Sequence, residues 1–241
     1  MVDIHCHILP GFDDGSDNIE ESVRMARLAA DGGTRAIIVT PHSNIPDSFR
    51  NYVDDRYTET FRALRARIEE EKIPLKVYPG HEIFASGDIV SLVRQHKLLT
   101  LRSSDYMLVE FAFKEDSRIV YRRLQELVAE GFVPVVAHPE RYAFVAEDDY
   151  APVRLRDIGC KLQINKGSLK GSFGRDAYII SHSIIRHGIA DFVASDAHSP
   201  YMRTPYLADI HDLISDLSSD DYADLVLSIN PQKILRNEKF N

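Results

Sequence analysis

A chain of 241 residues, 44% of them hydrophobic, can bury a large apolar core without a second domain, so a single domain over residues 1–241 is expected. No apolar run approaches the roughly 20 residues of a membrane span, and the first residues lack the basic start and apolar core of a secretory signal, so membrane insertion is not expected and a cytoplasmic location is. The formal charge of −8 argues against a nucleic-acid partner, and two cysteines, Cys6 and Cys160, supply no disulfide framework and at most half the ligands of a structural zinc site.

Along the chain, short apolar runs alternate with longer amphipathic segments. The runs cover residues 2–5, 36–40, 75–78, 106–111, 133–137, 161–164 and 191–194. Most are rich in Val and Ile without polar alternation, as in parallel strands covered on both faces. Asp17 with Glu20 fits a capping box opening the first helix, which should end near Gly32-Gly33. Further helices are expected over 53–71, 87–97, 117–130, 150–158 and 174–187. The chain after Pro205 reads as wholly helical, with Pro231 opening a last short helix. Alternating strands and helices imply an α/β fold with a parallel sheet, and seven runs predict a seven-stranded β/α barrel.

The residues at the end of each run carry the chemistry. His5-Cys6-His7 and then Asp13-Asp14-Gly15 stand after the first, Pro41-His42 after the second, and Gly80-His81-Glu82 after the third. Glu110 ends the fourth, His138-Pro139-Glu140-Arg141 stands after the fifth, Asn165-Lys166 after the sixth, and Ser195-Asp196-Ala197-His198 after the seventh. A parallel barrel brings all these strand ends to one face. Imidazole and carboxylate together suit borderline and hard divalent ions such as Mn, Zn, Fe or Mg. The two-residue period of a strand sends His5 and His7 to one side and Cys6 to the other.

Other histidines fit structural roles. His96, His182, His187 and His211 fall in expected helices, and Glu82 is a better ligand than its neighbour His81. Arg141 and Arg203 lie nearest the candidate ligands among basic groups. A guanidinium matches phosphate oxygens bidentately, which points to a phosphate-bearing substrate. A thiol-dependent phosphatase needs an arginine six residues after its cysteine. Phe12 and Lys166 occupy those places, so that route is not expected.

These residues, with Leu9-Pro10-Gly11, Gly167-Ser168-Leu169, Gly171 and Phe173-Gly174, resemble the polymerase-and-histidinol-phosphatase (PHP) superfamily. More narrowly, they are similar to the manganese-dependent bacterial protein-tyrosine phosphatases of the capsule and exopolysaccharide (CpsB/CapC) type. The resemblance spans nearly the whole chain. It implies a distorted seven-stranded TIM-like barrel and two or three divalent ions, Mn2+ first, with Fe, Zn, Mg or Co as alternatives. By matching motif the ligands would be His5, His7, Asp14, His42, Glu82, Glu110, His138, Asp196 and His198, with Glu82 bridging two ions. Arg141 and Arg203 would contact phosphate, and His42 or His198 could serve as general acid where not held as a ligand. The implied substrate is phosphotyrosine on a bacterial tyrosine kinase controlling polysaccharide export. The alternatives are a small-molecule phosphatase, such as one for histidinol phosphate, and a non-catalytic metal-stabilised regulatory module.

Overall fold

In a computed structural model that describes residues 1–240, the seven expected strand passes are all present. The strands are β1 (Val2–Cys6), β2 (Ala36–Val39), β3 (His42–Ser43), β4 (Lys76–Pro79), β5 (Glu82–Phe84), β6 (Tyr106–Glu110), β7 (Val133–Ala137), β8 (Lys161–Asn165) and β9 (Phe192–Ala194). Two passes expected to be continuous are broken. The second divides at Thr40-Pro41 into β2 and β3, and the third at Gly80-His81 into β4 and β5.

All pairings between these strands are parallel. They run β1-β2-β4 in one sheet and β3-β5-β6-β7-β8-β9 in the other. A parallel bridge between Cys6 and Ala197, with Asp196 N donating to His5 O at 2.9 Å and His7 N to Ala197 O at 2.8 Å, joins the first pass to the end of the last. The distortion sits between the third and fourth passes. There β5 pairs with β6, whereas β4 is separated from β6 by a 3₁₀ turn, Leu101–Ser103.

The helices are α1 (Ile19–Asp31), α2 (Asp55–Glu70), α3 (Ile89–Arg94), α4 (Ser117–Ala129), α5 (Ala143–Ala146), α6 (Ala151–Asp157), α7 (Lys166–Leu169), α8 (Arg175–Arg186), α9 (Ala208–Leu217), α10 (Asp220–Asp224) and α11 (Asn230–Arg236), with a π-helical turn, Leu225–Ile229, before the last. The first cap differs from the expectation by one residue. Asn18, not Asp17, accepts from Glu21 N at 3.0 Å, and Glu21 rather than Glu20 reaches back to Asp17 N. The helix expected over 87–97 shortens to α3, which leaves His96 in the turn beyond it with a φ of 57°.

Alternate strand residues fill the barrel: Val2, Ile4, Ala36, Ile38, Tyr106, Leu108, Val135, Ala137, Phe192 and Ala194 form one buried cluster, with Leu101, Ile234 and Phe240 packed on it. The opposite strand faces meet the helices, as where Val23, Met25, Ala26 and Leu64 pack on Ile37, Val39 and Val77.

Candidate metal centre

The interior register delivers most of the site. Continuing the inward series on each pass by twos leads from Ala36 and Ile38 to His42, from Tyr78 to Glu82, and from Tyr106 and Leu108 to Glu110. The same count leads from Phe192 and Ala194 to Asp196.

Two passes need a correction of one residue, and each has a visible device. On β1, Val2 and Ile4 face inward, so simple alternation would send Cys6 inward and the histidines out. A bulge between Asp3 and Cys6 reverses the phase, packing Cys6 among Met25, Ala26 and Val39 and turning His5 and His7 to the centre. On β7, Val135 and Ala137 face inward, and His138 is brought to the same side by a left-handed backbone, φ 37° and ψ 54°. A non-glycine residue there is strained by about 1–2 kcal/mol. Strain of this kind gathers at functional sites.

Three sets of donor atoms each lie within 4.8 Å of one another: His7, Asp14, His42 and His198; His5, His7 and Asp196; and His42, Glu82 and Glu110. His138 Nε2 joins them 2.9 Å from Glu82 Oε1. All nine residues expected as ligands therefore lie around one centre. His5, His7, Glu82 and Asp196 are deeply buried, and Asp14, with its side chain 57% exposed, stands at the mouth.

The donor set fits bound cations. His42 Nδ1, His5 Nε2 and His7 Nε2 stand 2.9, 3.2 and 3.3 Å from the buried Glu82 Oε2, yet that oxygen accepts no hydrogen bond. His5 Nε2 and His7 Nε2 face each other at 3.1 Å.

Groups behind the centre fix that arrangement. His7 Nδ1 donates to Asp13 Oδ2 at 2.6 Å, and His198 Nδ1 donates to Asp196 O at 3.0 Å. His5 Nδ1 lies 2.8 Å from Gln163 Oε1. Its polarity follows from a chain that ends on a carboxylate, which only accepts. Asn165 Nδ2 must donate to Asp196 Oδ2 (2.5 Å), so Asn165 Oδ1 accepts from Gln163 Nε2 (2.9 Å). Gln163 Oε1 is then left to accept from His5 Nδ1, and His5 Nε2 keeps its lone pair toward the centre. Thus the sixth strand end, poor in candidate ligands, orients two of the clustered side chains, His5 and Asp196.

Charge within the cluster is strongly coupled. Although burial works against it, His5 and His42 hold the Glu82 carboxyl well below its ordinary range. Burial is likewise outweighed at His42, which Glu82 lifts to about 10. Asp13 is also lowered against its burial, chiefly by His7.

Asp13, Gln163 and the orienting role of Asn165 were not expected from the sequence. The signals available were the adjacency of Asp13 to Asp14, and the two-residue spacing of Gln163 and Asn165 on one strand face. Gly15 follows from Asp13: its N donates to Asp13 Oδ1 at 3.0 Å, and a Cβ there would lie 2.3 Å from His7 O. Arg203 donates to Asp196 Oδ2 at 2.6 Å, while Arg141 Nη1 lies 3.8 Å from the same oxygen.

The remaining histidines stand apart. His81 is buried with Nδ1 accepting from Leu99 N and its ring edge-on to Tyr57, and burial lowers it to about 3. His182 donates from Nε2 to Leu169 O within the core, His187 stands toward solvent at the C-terminal cap of α8 rather than within the expected helix, and His211 lies on α9. Cys6 is buried, and burial pushes its thiol well up; Cys160 is likewise pushed up to about 12. No helix among the described residues is long and apolar enough to cross a membrane.

Residues 1–236 match the family described as "Capsular polysaccharide synthesis, CpsB/CapC". The tyrosine-protein phosphatase YwqE of Bacillus subtilis is 35% identical over 99% of this chain and 92% of its own length. The tyrosine-protein phosphatase CpsB of Streptococcus pneumoniae is 28% identical over 99% of both chains. A crystal structure from work on these two proteins, described as unique metal-dependent tyrosine phosphatases, superimposes with a TM-score of 0.91 at 33% identity, covering 100% of this chain and 96% of that one. A lactonase from Listeria monocytogenes shares the fold at a TM-score of 0.59 and 13% identity, over 99% and 95% of the two chains. On the match over residues 1–236 and the 35% identity to a relative of nearly equal length, this chain belongs to the CpsB/CapC capsular polysaccharide synthesis family.

Proposed function

We propose that this protein is a metal-dependent protein-tyrosine phosphatase. The reading rests above all on Glu82 Oε2, a buried carboxylate oxygen ringed by three imidazole nitrogens and accepting a hydrogen bond from none of them. Membership of the CpsB/CapC family and the tyrosine-phosphatase relatives support the substrate class.

Two or three divalent ions, Mn2+ foremost, would be held by His5, His7, Asp14, His42, Glu82, Glu110, His138, Asp196 and His198. When bound, they supply Lewis acidity and bring the pKa of water toward neutrality. The chain's own groups do the rest. Arg203, tethered to Asp196, and Arg141 beside it bind the non-bridging oxygens of the phosphoryl group bidentately and orient phosphorus toward the centre. His42 is the most exposed of the clustered imidazoles, with Nδ1 between Glu82 and Glu110 and Nε2 3.5 Å from Asp14. Where Nε2 is not itself taken up by a cation, His42 would have an Nε2–H to give the leaving phenolate. That leaving group, with a pKa of about 10, needs little assistance.

The natural substrate on this reading is phosphotyrosine of a bacterial tyrosine kinase acting in capsular or exopolysaccharide synthesis, in the cytoplasm. The test compares phosphate release from a phosphotyrosine peptide and from histidinol phosphate by Mn2+-loaded protein. Preference for the peptide by an order of magnitude or more in kcat/KM is expected. Preference for histidinol phosphate would move the protein to the small-molecule class, and no turnover of either would leave a regulatory module.

A further inference from the structure

Four successive strand-end loops meet beside Asp196. Phe113 lies on the loop after β6, Arg141 on the turn after β7, Phe173 on the loop after α7, and Arg203 on the loop after β9. The Arg141 guanidinium carbon is 4.3 Å from the Phe113 ring centroid and 4.2 Å from that of Phe173, so the cation is held by both rings. Arg203 lies 5.3 Å over the same Phe173 ring. Among the described residues the Arg141 guanidinium donates no hydrogen bond, and its approach to Asp196 Oδ2 is 3.8 Å. Aromatic faces attract a guanidinium without occupying its in-plane N–H donors.

Gly167, in α7, is what gives Phe173 its place. A Cβ there would lie 2.6 Å from Phe173 Cε2 and 3.1 Å from Cζ, so a side chain at 167 requires the ring to move. Backbone conformation does not call for this glycine, since residue 167 has no positive φ. In a helix, glycine is disfavoured against alanine. The ring accounts for it.

We infer that Phe113, Phe173 and Gly167 are positioning residues for the reaction: the two rings hold Arg141 at the mouth of the metal centre with its donors free for phosphate, and Gly167 makes room for the Phe173 ring. This rests on the reading of Arg141 as a phosphate contact. Binding to the metals alone would not need the rings, whereas a planar, preoriented cation does.

The experiment uses the Mn2+-loaded full chain, measuring hydrolysis of para-nitrophenyl phosphate and competitive inhibition by inorganic phosphate, with melting temperature and Mn2+ content recorded for each variant. Phe173→Leu and Gly167→Ala should each weaken phosphate inhibition about tenfold, between the sizes of an exposed and a fully desolvated cation–π contact, with Mn2+ content unchanged. Phe173→Tyr should restore it. Gly167→Ala should also keep or raise the melting temperature, which separates misplacement of the ring from misfolding. In an Arg141→Ala background, Phe173→Leu should add less than about twofold, because contacting residues that act through one another are not additive. Full additivity, or unchanged phosphate inhibition in both Phe173→Leu and Gly167→Ala while Arg141→Ala weakens it, overturns the inference alone. Unchanged inhibition in Arg141→Ala overturns the phosphate-contact reading beneath it.

Discussion

Gln163→Leu removes two polar atoms, the Oε1 that accepts from His5 Nδ1 at 2.8 Å and the Nε2 that donates to Asn165 Oδ1, where all three residues are without solvent access. Two buried polar groups then lose partners, the His5 Nδ1–H and Asn165 Oδ1, which Gln163 Nε2 had satisfied at 2.9 Å. Each unsatisfied group costs about 1–3 kcal/mol, offset in part by the apolar side chain. The larger consequence is for cation binding. Without the acceptor, His5 is free to carry its proton on Nε2, the nitrogen that faces His7, Glu82 and Asp196. Loss of a partner that orients a liganding histidine weakens metal binding about 10–100-fold. That range corresponds to about 1.4–2.7 kcal/mol. The assay is Mn2+ titration of chelator-stripped protein by calorimetry, beside denaturant unfolding of the same metal-free sample. If the metal-free variant is destabilised as expected but binds Mn2+ within twofold of wild type, the tautomer relay through Gln163, Asn165 and Asp196 is refuted.

Asp13→Asn should act on His7 in the same way, since an amide can present its NH2 to Nδ1 and drive the His7 proton onto Nε2; an Mn2+ affinity at least tenfold lower is expected by calorimetry. Cys6→Ser should retain most phosphatase activity, because burial keeps the thiol protonated and the side chain faces the helices, whereas exhaustive chelation should abolish turnover. Asp191, remote from the centre, is held by Leu162 N at 3.0 Å with Lys161 and Arg156 nearby, yet burial raises its carboxyl above the ordinary value of 3.8. The folded state therefore keeps a proton that the unfolded chain releases near pH 4, and stability falls as pH rises through that window. Asp191→Asn should gain in unfolding free energy relative to wild type between pH 4 and pH 7, measured by urea titration of metal-free protein; a constant difference across that range would show the group to be untitrated.

Much of the architecture was legible because parallel strands covered on both faces must be apolar along their length, so polar residues at their ends stand out. The seven runs and every clustered candidate ligand, from His5 to His198, were visible in this way. The broken passes were not, because the divisions at Thr40-Pro41 and Gly80-His81 arise from how neighbouring strands pair. The shifted cap at Asn18 is a smaller case: Asp17 and Asn18 both suit the position, and the backbone of α1 selects one of them.

Taken alone, the sequence determined which side chains stand at the strand ends and hence that imidazoles and carboxylates would gather. Only the tertiary structure decided how they point. The bulge in β1 turns His5 and His7 inward against the alternation of Val2 and Ile4, and a left-handed backbone does the same for His138. Asp13, Gln163 and Asn165 set the tautomers from behind, and Phe113 and Phe173 frame Arg141. Local periodicity encodes which residues a strand buries, whereas these orientations depend on single dihedral angles and on contacts between residues far apart in the chain.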